Sequence, residues 1–301
     1  MTTTFNVILP KKQIPKPKKP KHPALPLKIM QFIFGTLGRV FPKWFASLAF
    51  RFFAMPQKRA KHRISDSIIE QANISEILVG KNMLKTYDWG TGEKTILLVH
   101  GWQSRGTALR SFVPKLNKAG FRVVAFDAPA HGDSSGKRVD LLGYGGAVKA
   151  LYNKYENMTG VICHSFGGAA AAYAMYKLDP SIELEKFVTI GTPAAFSYPI
   201  YNGLNTMNAP PMVRKYFIEK IESVTGMELE KTNFEYLNPF LKIEKTLIVH
   251  DKQDEQVNFA EAQKIVKHWK NAELQVTDGF GHFHLIKNPE VIERVVNFIK
   301  S

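Results

Sequence analysis

The chain has a single cysteine, Cys163, among its 301 residues. One cysteine excludes an internal disulfide and a cysteine-rich zinc site, and it suits a reducing compartment. The first apolar segment is too short for a transmembrane helix. Its longest uncharged stretch is 29–38, whereas roughly 20 residues are needed to span a bilayer. No small-residue cleavage site follows that segment, so a signal peptide is not expected. We therefore expect a cytoplasmic protein.

Acidic residues are absent from the first 63 residues, which carry 14 Lys and Arg. Residues 64–301 hold 27 basic and 26 acidic side chains, so nearly all of the net charge of +15 lies in the first segment. We predict two parts: a basic N-terminal extension, 1–63, and a nearly neutral main domain, 64–301. An apolar content of 45% excludes a wholly disordered or fibrous chain.

The basic extension divides again at its prolines. Residues 10–28 contain six prolines and seven lysines, which predicts an extended, mobile arm. Residues 29–55 predict two amphipathic helices separated at Pro42, because one set of apolar side chains recurs three or four residues apart. This apolar stripe consists of Ile33, Leu37, Val40, Trp44, Leu48 and Phe52.

Two hypotheses remain for these helices. Amphipathic stripes usually face a core, so the stripe would pack on the main domain and leave the lysine arm in solvent. Alternatively, residues 1–63 make weak contact with anionic lipid, which would put the protein at the inner face of the membrane. Phosphate contact with nucleic acid is a weaker third alternative, and no specific nucleic-acid binding is expected.

The main domain alternates short apolar runs with helical stretches. Five runs are apolar on both faces, as buried parallel strands are: 95–100, 122–127, 160–165, 186–191 and 246–251. Helices between such strands predict an α/β fold, with a mostly parallel sheet covered by helices on both faces. Residues 77–90 predict an antiparallel hairpin at the sheet edge, and 194–245 predict a helical lid insertion.

A strand that runs directly into a helix carries the first chemical signal. Residues 160–168 read GVICHSFGG, which places Ser165 in a tight strand–turn–helix junction. Such a turn exposes the hydroxyl and directs the first N–H groups of the helix toward an anion. Gly167 supplies the small residue needed after the serine, whereas Cys163 stands where the usual motif has glycine.

A serine nucleophile needs a base, and the base needs an orienting acid. Both sets of candidates lie at the ends of predicted strands, where open α/β sheets bind their ligands. Asp251, Asp254 and Glu255 compete for the acid. His282 and His284 compete for the base. The two histidines have no evident third ligand, so no metal site is expected.

Two backbone N–H groups complete the expected site. Gly101 follows the strand 95–100 and lets the chain turn, so that the N–H of Trp102 faces the serine. Together with the N–H of Phe166, it would form an oxyanion hole.

These segments together resemble the alpha/beta-hydrolase superfamily. They are LLVHGW (97–102), VVAFDAPAHGDSSG (123–136), CHSFGG (163–168), LIVHDKQDEQV (247–257) and GFGHFH (279–284). HGW together with DAPAHG is most similar to a largely uncharacterised bacterial group. The resemblance implies the alpha/beta-hydrolase fold with a helical lid, Ser165 as nucleophile, Asp254 as acid and His282 as base.

The expected function is hydrolysis of a carboxylic ester or related acyl bond through an acyl-serine intermediate. The expected partner is a small-molecule acyl substrate, and no metal or organic cofactor is expected. One alternative is an aminopeptidase-like activity on short peptides, whose amino terminus would meet acids of the lid: Glu219, Glu222, Glu228 and Glu230. A non-catalytic binding protein is the other alternative, although it has no need of a serine, an acid and a histidine together.

Overall fold

One nine-stranded sheet organises the protein. The computed structural model describes residues 7–9, 25–60, 62, 66–269 and 271–301. The strands are β1 (Val7–Ile8), β2 (Asn73–Val79), β3 (Asn82–Trp89), β4 (Thr95–Val99), β5 (Arg122–Phe126), β6 (Met158–His164), β7 (Glu183–Ile190), β8 (Lys242–Asp251) and β9 (Ala272–Thr277). Their order across the sheet is β1-β9-β8-β7-β6-β4-β5-β3-β2. β3 is antiparallel to both β2 and β5, and all other neighbours are parallel.

Helices connect these strands and cover the sheet. They are α1 (Leu25–Val40), α2 (Pro42–Phe53), α3 (Ser67–Glu70), α4 (Val113–Lys118), α5 (Leu141–Lys154), α6 (Phe166–Tyr173), α7 (Ser197–Thr206), α8 (Pro211–Thr225), α9 (Phe234–Leu237), α10 (Phe259–His268), α11 (Gly281–His284) and α12 (Pro289–Lys300). Within the described ranges, no helix has the length and apolarity needed to cross a bilayer.

The central strands are apolar on both faces because helices pack on both sides of them. In β4, Leu97 and Val99 face a core built with α5, α6 and α10, whereas Ile96 and Leu98 face a core built with α4 and α12. The predicted α/β fold, with a mostly parallel sheet between two helical layers, is confirmed.

The first sheet edge contains a strand that the sequence pattern did not indicate. Val7 and Ile8 pair in parallel with Val276 and Thr277 of β9. A two-residue strand is too short for its periodicity to be recognised. Most of the predicted arm, 10–28, lies outside the described residues. Its last four residues, 25–28, were expected to be extended, but they form the start of α1. Pro26 is tolerated there because the N–H groups of the first helical turn have no partner within the helix.

The N-terminal helices separate at Pro42 as predicted, but their expected packing face was wrong. Phe34 and Phe45 are 2% and 3% exposed and pack on α7 and α8 of the predicted lid insertion, 194–245. Most of the predicted stripe faces solvent instead, including Val40 and Trp44, which are 66% and 60% exposed. The helices are apolar on two faces, and periodicity alone does not tell which face the insertion covers.

Candidate active site

Ser165 lies in the sharp turn between β6 and α6. Its backbone has φ 52° and ψ −124°, a region that costs a residue other than glycine on the order of 1–3 kcal/mol. Its N–H donates to the carbonyl oxygen of Ile190 at 2.9 Å, and its carbonyl accepts the N–H of Gly168 at 3.0 Å. The hydroxyl of Thr192 donates to the same carbonyl at 3.1 Å. These bonds hold the strained serine at the carboxyl end of β6.

The need for small residues differs on the two sides of Ser165. A Cβ atom at Gly167 would lie 2.6 Å from the carbonyl oxygens of Val99 and His100, so glycine is required after the serine. Cys163, before the serine, is fully buried within the core on one face of β6. The cysteine at this position is therefore accommodated by core packing. Burial raises the pKa of its thiol well above the usual range, so it stays protonated.

Asp254 holds His282 by a short hydrogen bond. The Nδ1 atom of His282 donates to Oδ2 of Asp254 at 2.7 Å, and both residues are 8% exposed. The other carboxylate oxygen accepts the N–H groups of Gln256 and Val257 at 2.8 and 2.9 Å. Burial by itself would raise the pKa of Asp254, but the bond and charge of His282 and these N–H groups bring it below the ordinary value. The ionised carboxylate therefore fixes one imidazole tautomer.

Asp251, another candidate for the acid, forms hydrogen bonds with other groups. Its carboxylate accepts the Thr277 hydroxyl at 2.7 Å and the N–H groups of Phe280 and Gly279 at 2.9 and 3.2 Å. It thereby holds the loop that leads to His282.

Glu255 was the third candidate for the acid, and His284 was the second candidate for the base. Glu255 lines the cavity described below. His284 lies with His282 on the short helix α11, but its side chain is exposed whereas that of His282 is buried.

Two buried histidines fix the loop that follows β4. The Nε2 atom of His100 accepts the N–H of Ala128 at 3.0 Å, so its Nδ1–H donates to the carbonyl of Gly101 at 2.7 Å. The Nε2 atom of His131 accepts the N–H of Gln103 at 3.0 Å. Burial lowers the pKa of His100 to about 3 and that of His131 to about 4. Both rings are therefore neutral near pH 7, as these acceptor roles require.

This loop brings Trp102 beside the serine. A Cβ atom at Gly101 would lie 3.0 Å from the Cβ of Ser165, so the close approach needs glycine. The rings of Trp102 and Phe166 pack edge to face, with centroids 5.5 Å apart. Across the described ranges, the backbone N–H groups of these two residues donate to no protein acceptor. They are available to an oxygen atom held next to Ser165.

His164 links the strand that carries the serine to the loop that carries the histidine. Its Nε2–H donates to the backbone carbonyl of His282 at 3.0 Å, and the two rings lie 4.7 Å apart. Burial, followed by the nearby charge of His282, lowers the pKa of His164 to about 3, so the ring stays neutral. Sequence spacing did not reveal this contact, because the two residues are 118 positions apart.

A cavity of about 620 Å³ connects these groups. Ser165, His282, Trp102 and Phe166 all line it. Most of its remaining wall is apolar. The large apolar side chains of this wall include Phe196, Phe217 and Ile221 of the predicted lid insertion and Phe50 and Phe53 of α2. Its volume is within the range of small-molecule binding sites.

A family model describes the fold and the site region together. The model of the alpha/beta hydrolase family matches residues 96–295, about two thirds of the chain. The chain belongs to the alpha/beta hydrolase family. Comparison with curated protein sequences finds no match.

Solved structures with the alpha/beta hydrolase fold agree with this assignment. An esterase of Pyrococcus furiosus, Pf2001, is 22% identical, with a TM-score of 0.60, and the match covers 82% of this chain and 96% of the esterase. A bromoperoxidase from Bacillus anthracis is 19% identical, with a TM-score of 0.58, covering 76% of this chain and all of the other. A thioesterase domain from the curacin biosynthetic pathway is 15% identical, with a TM-score of 0.56 and coverages of 76% and 99%. At these identities the likeness is one of fold.

One group in this alpha/beta hydrolase has metal-ligand character. Among the described residues, only His62, Asp127 and Asp133 bring three such side chains together. The carboxylate of Asp127 already accepts four hydrogen bonds, from His62, Tyr87 and the N–H groups of Gly106 and Asp133. The group is satisfied without a cation, and it attaches the end of the N-terminal extension to the loop after β5.

The contribution of α2 to the cavity of this hydrolase was not evident from the sequence. Phe50 and Phe53 lie on the face of α2 opposite the recognised stripe. The only available signal was that these positions are also apolar, which makes the helix apolar on two sides.

Proposed function

We propose that this protein is a serine hydrolase that cleaves a carboxylic ester or related acyl bond through an acyl-serine intermediate. The observation that carries the proposal is the 2.7 Å hydrogen bond between His282 and Asp254, with His282 and Ser165 in the wall of one cavity. A nucleophile, a base and an acid that orients the base are the groups that acyl transfer requires.

The first half of the reaction forms the acyl-enzyme. The Oγ atom of Ser165 attacks the carbonyl carbon, while Nε2 of His282 takes the hydroxyl proton. The N–H groups of Trp102 and Phe166 stabilise the negative oxygen that develops. Asp254 stabilises the imidazolium. The tetrahedral intermediate then collapses, and the leaving alcohol takes the proton from His282.

The second half releases the acid. Water attacks the acyl carbonyl and gives its proton to His282. The new tetrahedral intermediate expels the Oγ atom of Ser165, which recovers a proton from His282. The serine is regenerated, and a carboxylic acid leaves the cavity.

The cavity wall supports an acyl group as substrate. Phe196, Phe217 and Phe53 are among the side chains that surround the serine. An alkyl chain buried against them leaves water, which contributes about 0.8 kcal/mol per CH₂.

The peptidase alternative loses its main support. The lid glutamates suggested for an amino terminus are not among the described residues that line the cavity: Glu219, Glu222, Glu228 and Glu230. Glu222 accepts the N–H of Leu229 at 2.9 Å, and Glu228 pairs with Lys231 at 2.7 Å. These side chains serve the insertion itself.

Hydrolysis of p-nitrophenyl esters tests the proposal. Ser165→Ala should lower kcat by on the order of 10⁶, because the nucleophile is lost. Ser104 lines the same cavity and gives the matched control, so Ser104→Ala should keep most of the activity. His282→Ala should share the loss of Ser165→Ala, whereas His284→Ala should not. Equal activity in Ser165→Ala and Ser104→Ala would overturn the proposal.

A further inference from the structure

The outer face of α1 and α2 exposes an unusual amount of apolar surface. Of the 17 large hydrophobic side chains exposed in the described residues, nine lie between Leu25 and Phe52. Besides Leu25 at the start of α1, six of these are 49% to 71% exposed: Ile29, Phe32, Leu37, Val40, Phe41 and Trp44. We call these six residues the outer apolar face. Monomeric proteins rarely expose a contiguous apolar patch of this kind without a partner.

The opposite face of the same helices is already used. Phe34, Phe45 and Ala49 are nearly fully buried against α7 and α8. The helix pair therefore stays docked on the lid insertion while its outer apolar face remains free. Between the two helices, an open groove of about 480 Å³ is lined by Ile33, Leu37, Phe41, Trp44, Phe45 and Leu48.

Positive charge surrounds the outer apolar face. Residues 25–60 contain six Lys and Arg and no Asp or Glu. Lys28, Arg39, Lys43 and Arg51 are exposed. No ion pair with a carboxylate is found for them within the described ranges, although Lys43 lies 5.3 Å from the ring centroid of Tyr216. Apolar side chains flanked by unpaired cations match an interface that is apolar inside and anionic at its edge.

We propose that the outer apolar face docks on an anionic lipid bilayer. The apolar side chains enter the boundary between headgroups and acyl chains, and the flanking Lys and Arg contact the lipid phosphates. The charge pattern favours this occupant over a second copy of the chain, because two such faces would bring like charges together. The proposal does not depend on the acyl-hydrolase activity.

Co-sedimentation of the full-length protein with vesicles tests this docking. The protein should pellet with phosphatidylglycerol vesicles at low salt, less at high salt, and least with phosphatidylcholine vesicles. Phe32→Ser combined with Trp44→Ser should weaken binding by at least about tenfold, because two exposed aromatic side chains no longer leave water. Leu78→Ser is the matched control, since Leu78 is 68% exposed on β2 and should not affect binding.

Further measurements keep the test independent of folding and of catalysis. Trp44 is the one exposed tryptophan of four, so its fluorescence should shift to the blue when vesicles are added. Lys28→Glu combined with Lys43→Glu should weaken binding while leaving the melting temperature unchanged. Ser165→Ala should bind vesicles as the wild type does, even if the hydrolase proposal fails.

Three results would overturn the docking proposal. One is no pelleting of the wild type with phosphatidylglycerol at low salt. Another is unchanged binding of the Phe32→Ser, Trp44→Ser variant. The third is a wild-type dimer that this variant converts to a monomer, without any vesicle binding, which would assign the outer apolar face to a second copy.

Discussion

Asp254 is the carboxylate that contacts the imidazole of His282. Its substitution tests the orientation of His282 while leaving the proposed nucleophile, Ser165, in place. Asp254→Asn keeps the volume but removes the charge that selects the tautomer. We expect kcat to fall by on the order of 10⁴ with little change in KM. Ester kinetics check this, with Glu255→Gln as a control from the same cavity wall. A larger loss in Glu255→Gln would move the acid to Glu255.

The pH profile follows from the same carboxylate. The pKa of Asp254 lies below its ordinary value of 3.8, because the effects of His282 and two backbone N–H groups outweigh burial. Asp254 therefore stays ionised above about pH 4. Protonation of Asp254 should therefore not limit ester hydrolysis between neutral pH and about pH 5. Infrared detection of a protonated Asp254 carboxyl group in this range would contradict the account.

Asp127 gives a prediction about stability. Burial would raise its pKa, but the hydrogen bond and charge of His62 and the N–H groups of Asp133 and Gly106 lower it. A carboxyl group whose pKa falls on folding stabilises the folded state fully above the unfolded value of 3.8. This contribution disappears as the pH drops through the folded value.

Urea unfolding checks this dependence. Asp127→Asn should lower the free energy of unfolding by about 3–5 kcal/mol at pH 7, because His62 loses its buried partner. The difference should shrink as the pH falls below 3.8, the unfolded value, and through the lower folded value. Asp133→Asn is the control, since that side chain is 58% exposed and should change stability little. A difference that does not change with pH would contradict the ionised state of Asp127.

Those residues of the candidate site that lie in a local sequence motif could be predicted from the sequence. Ser165 and Gly167 lie in one turn, and Gly101 follows a strand, so their environment is local. Asp254 could not be separated from Asp251 by spacing alone, because Asp251 ends β8 and Asp254 lies only three residues later. Their different hydrogen bonds depend on where β9 and its loop lie, which is a property of the tertiary structure.

Two phenylalanines test how α2 packs. Phe45 is 3% exposed and meets Phe34 edge to face at 5.0 Å, whereas Phe41 is 59% exposed. Phe45→Ala should cost about 3–5 kcal/mol, because it leaves a cavity between α2 and the lid insertion. Phe41→Ala should stay within about 0.5 kcal/mol of the wild type. Thermal or urea unfolding compares the two, and equal losses would mean that α2 does not pack in this way.

The lid insertion should set the preferred acyl length. Medium-chain esters should have a higher kcat/KM than acetyl esters, because each buried CH₂ contributes about 0.8 kcal/mol. Phe196 lines the cavity, so Phe196→Ala should reduce this preference severalfold. Phe240 belongs to the same insertion but is 53% exposed, so Phe240→Ala should leave the preference unchanged. A flat chain-length profile in the wild type would contradict an apolar acyl site.

Elements with a strong pattern were predictable, and those that depend on partners were not. β4 and β6 are apolar on both faces, which only a doubly covered sheet explains. The strand β1 has two residues and exists through its pairing with β9. The helices α1 and α2 were predicted, but which of their two apolar faces is buried depends on the packing of α7 and α8.

At the scale of the whole molecule, the net positive charge and the proposed catalytic residues lie in different parts of the sequence. The first 63 residues carry almost all of the net charge, and the family match begins at residue 96. The two regions meet at α2, whose inner face lines the cavity and whose outer face is exposed. The basic extension is therefore part of the cavity wall as well as a surface of its own.

Covalent labelling tests the central claim most directly. A fluorophosphonate reacts with an activated serine, and mass spectrometry of the digested protein identifies the residue that carries the adduct. We predict one adduct on the peptide containing Ser165, its loss in Ser165→Ala, and its retention in Ser104→Ala. An adduct on another serine, or full labelling of Ser165→Ala, would contradict Ser165 as the nucleophile.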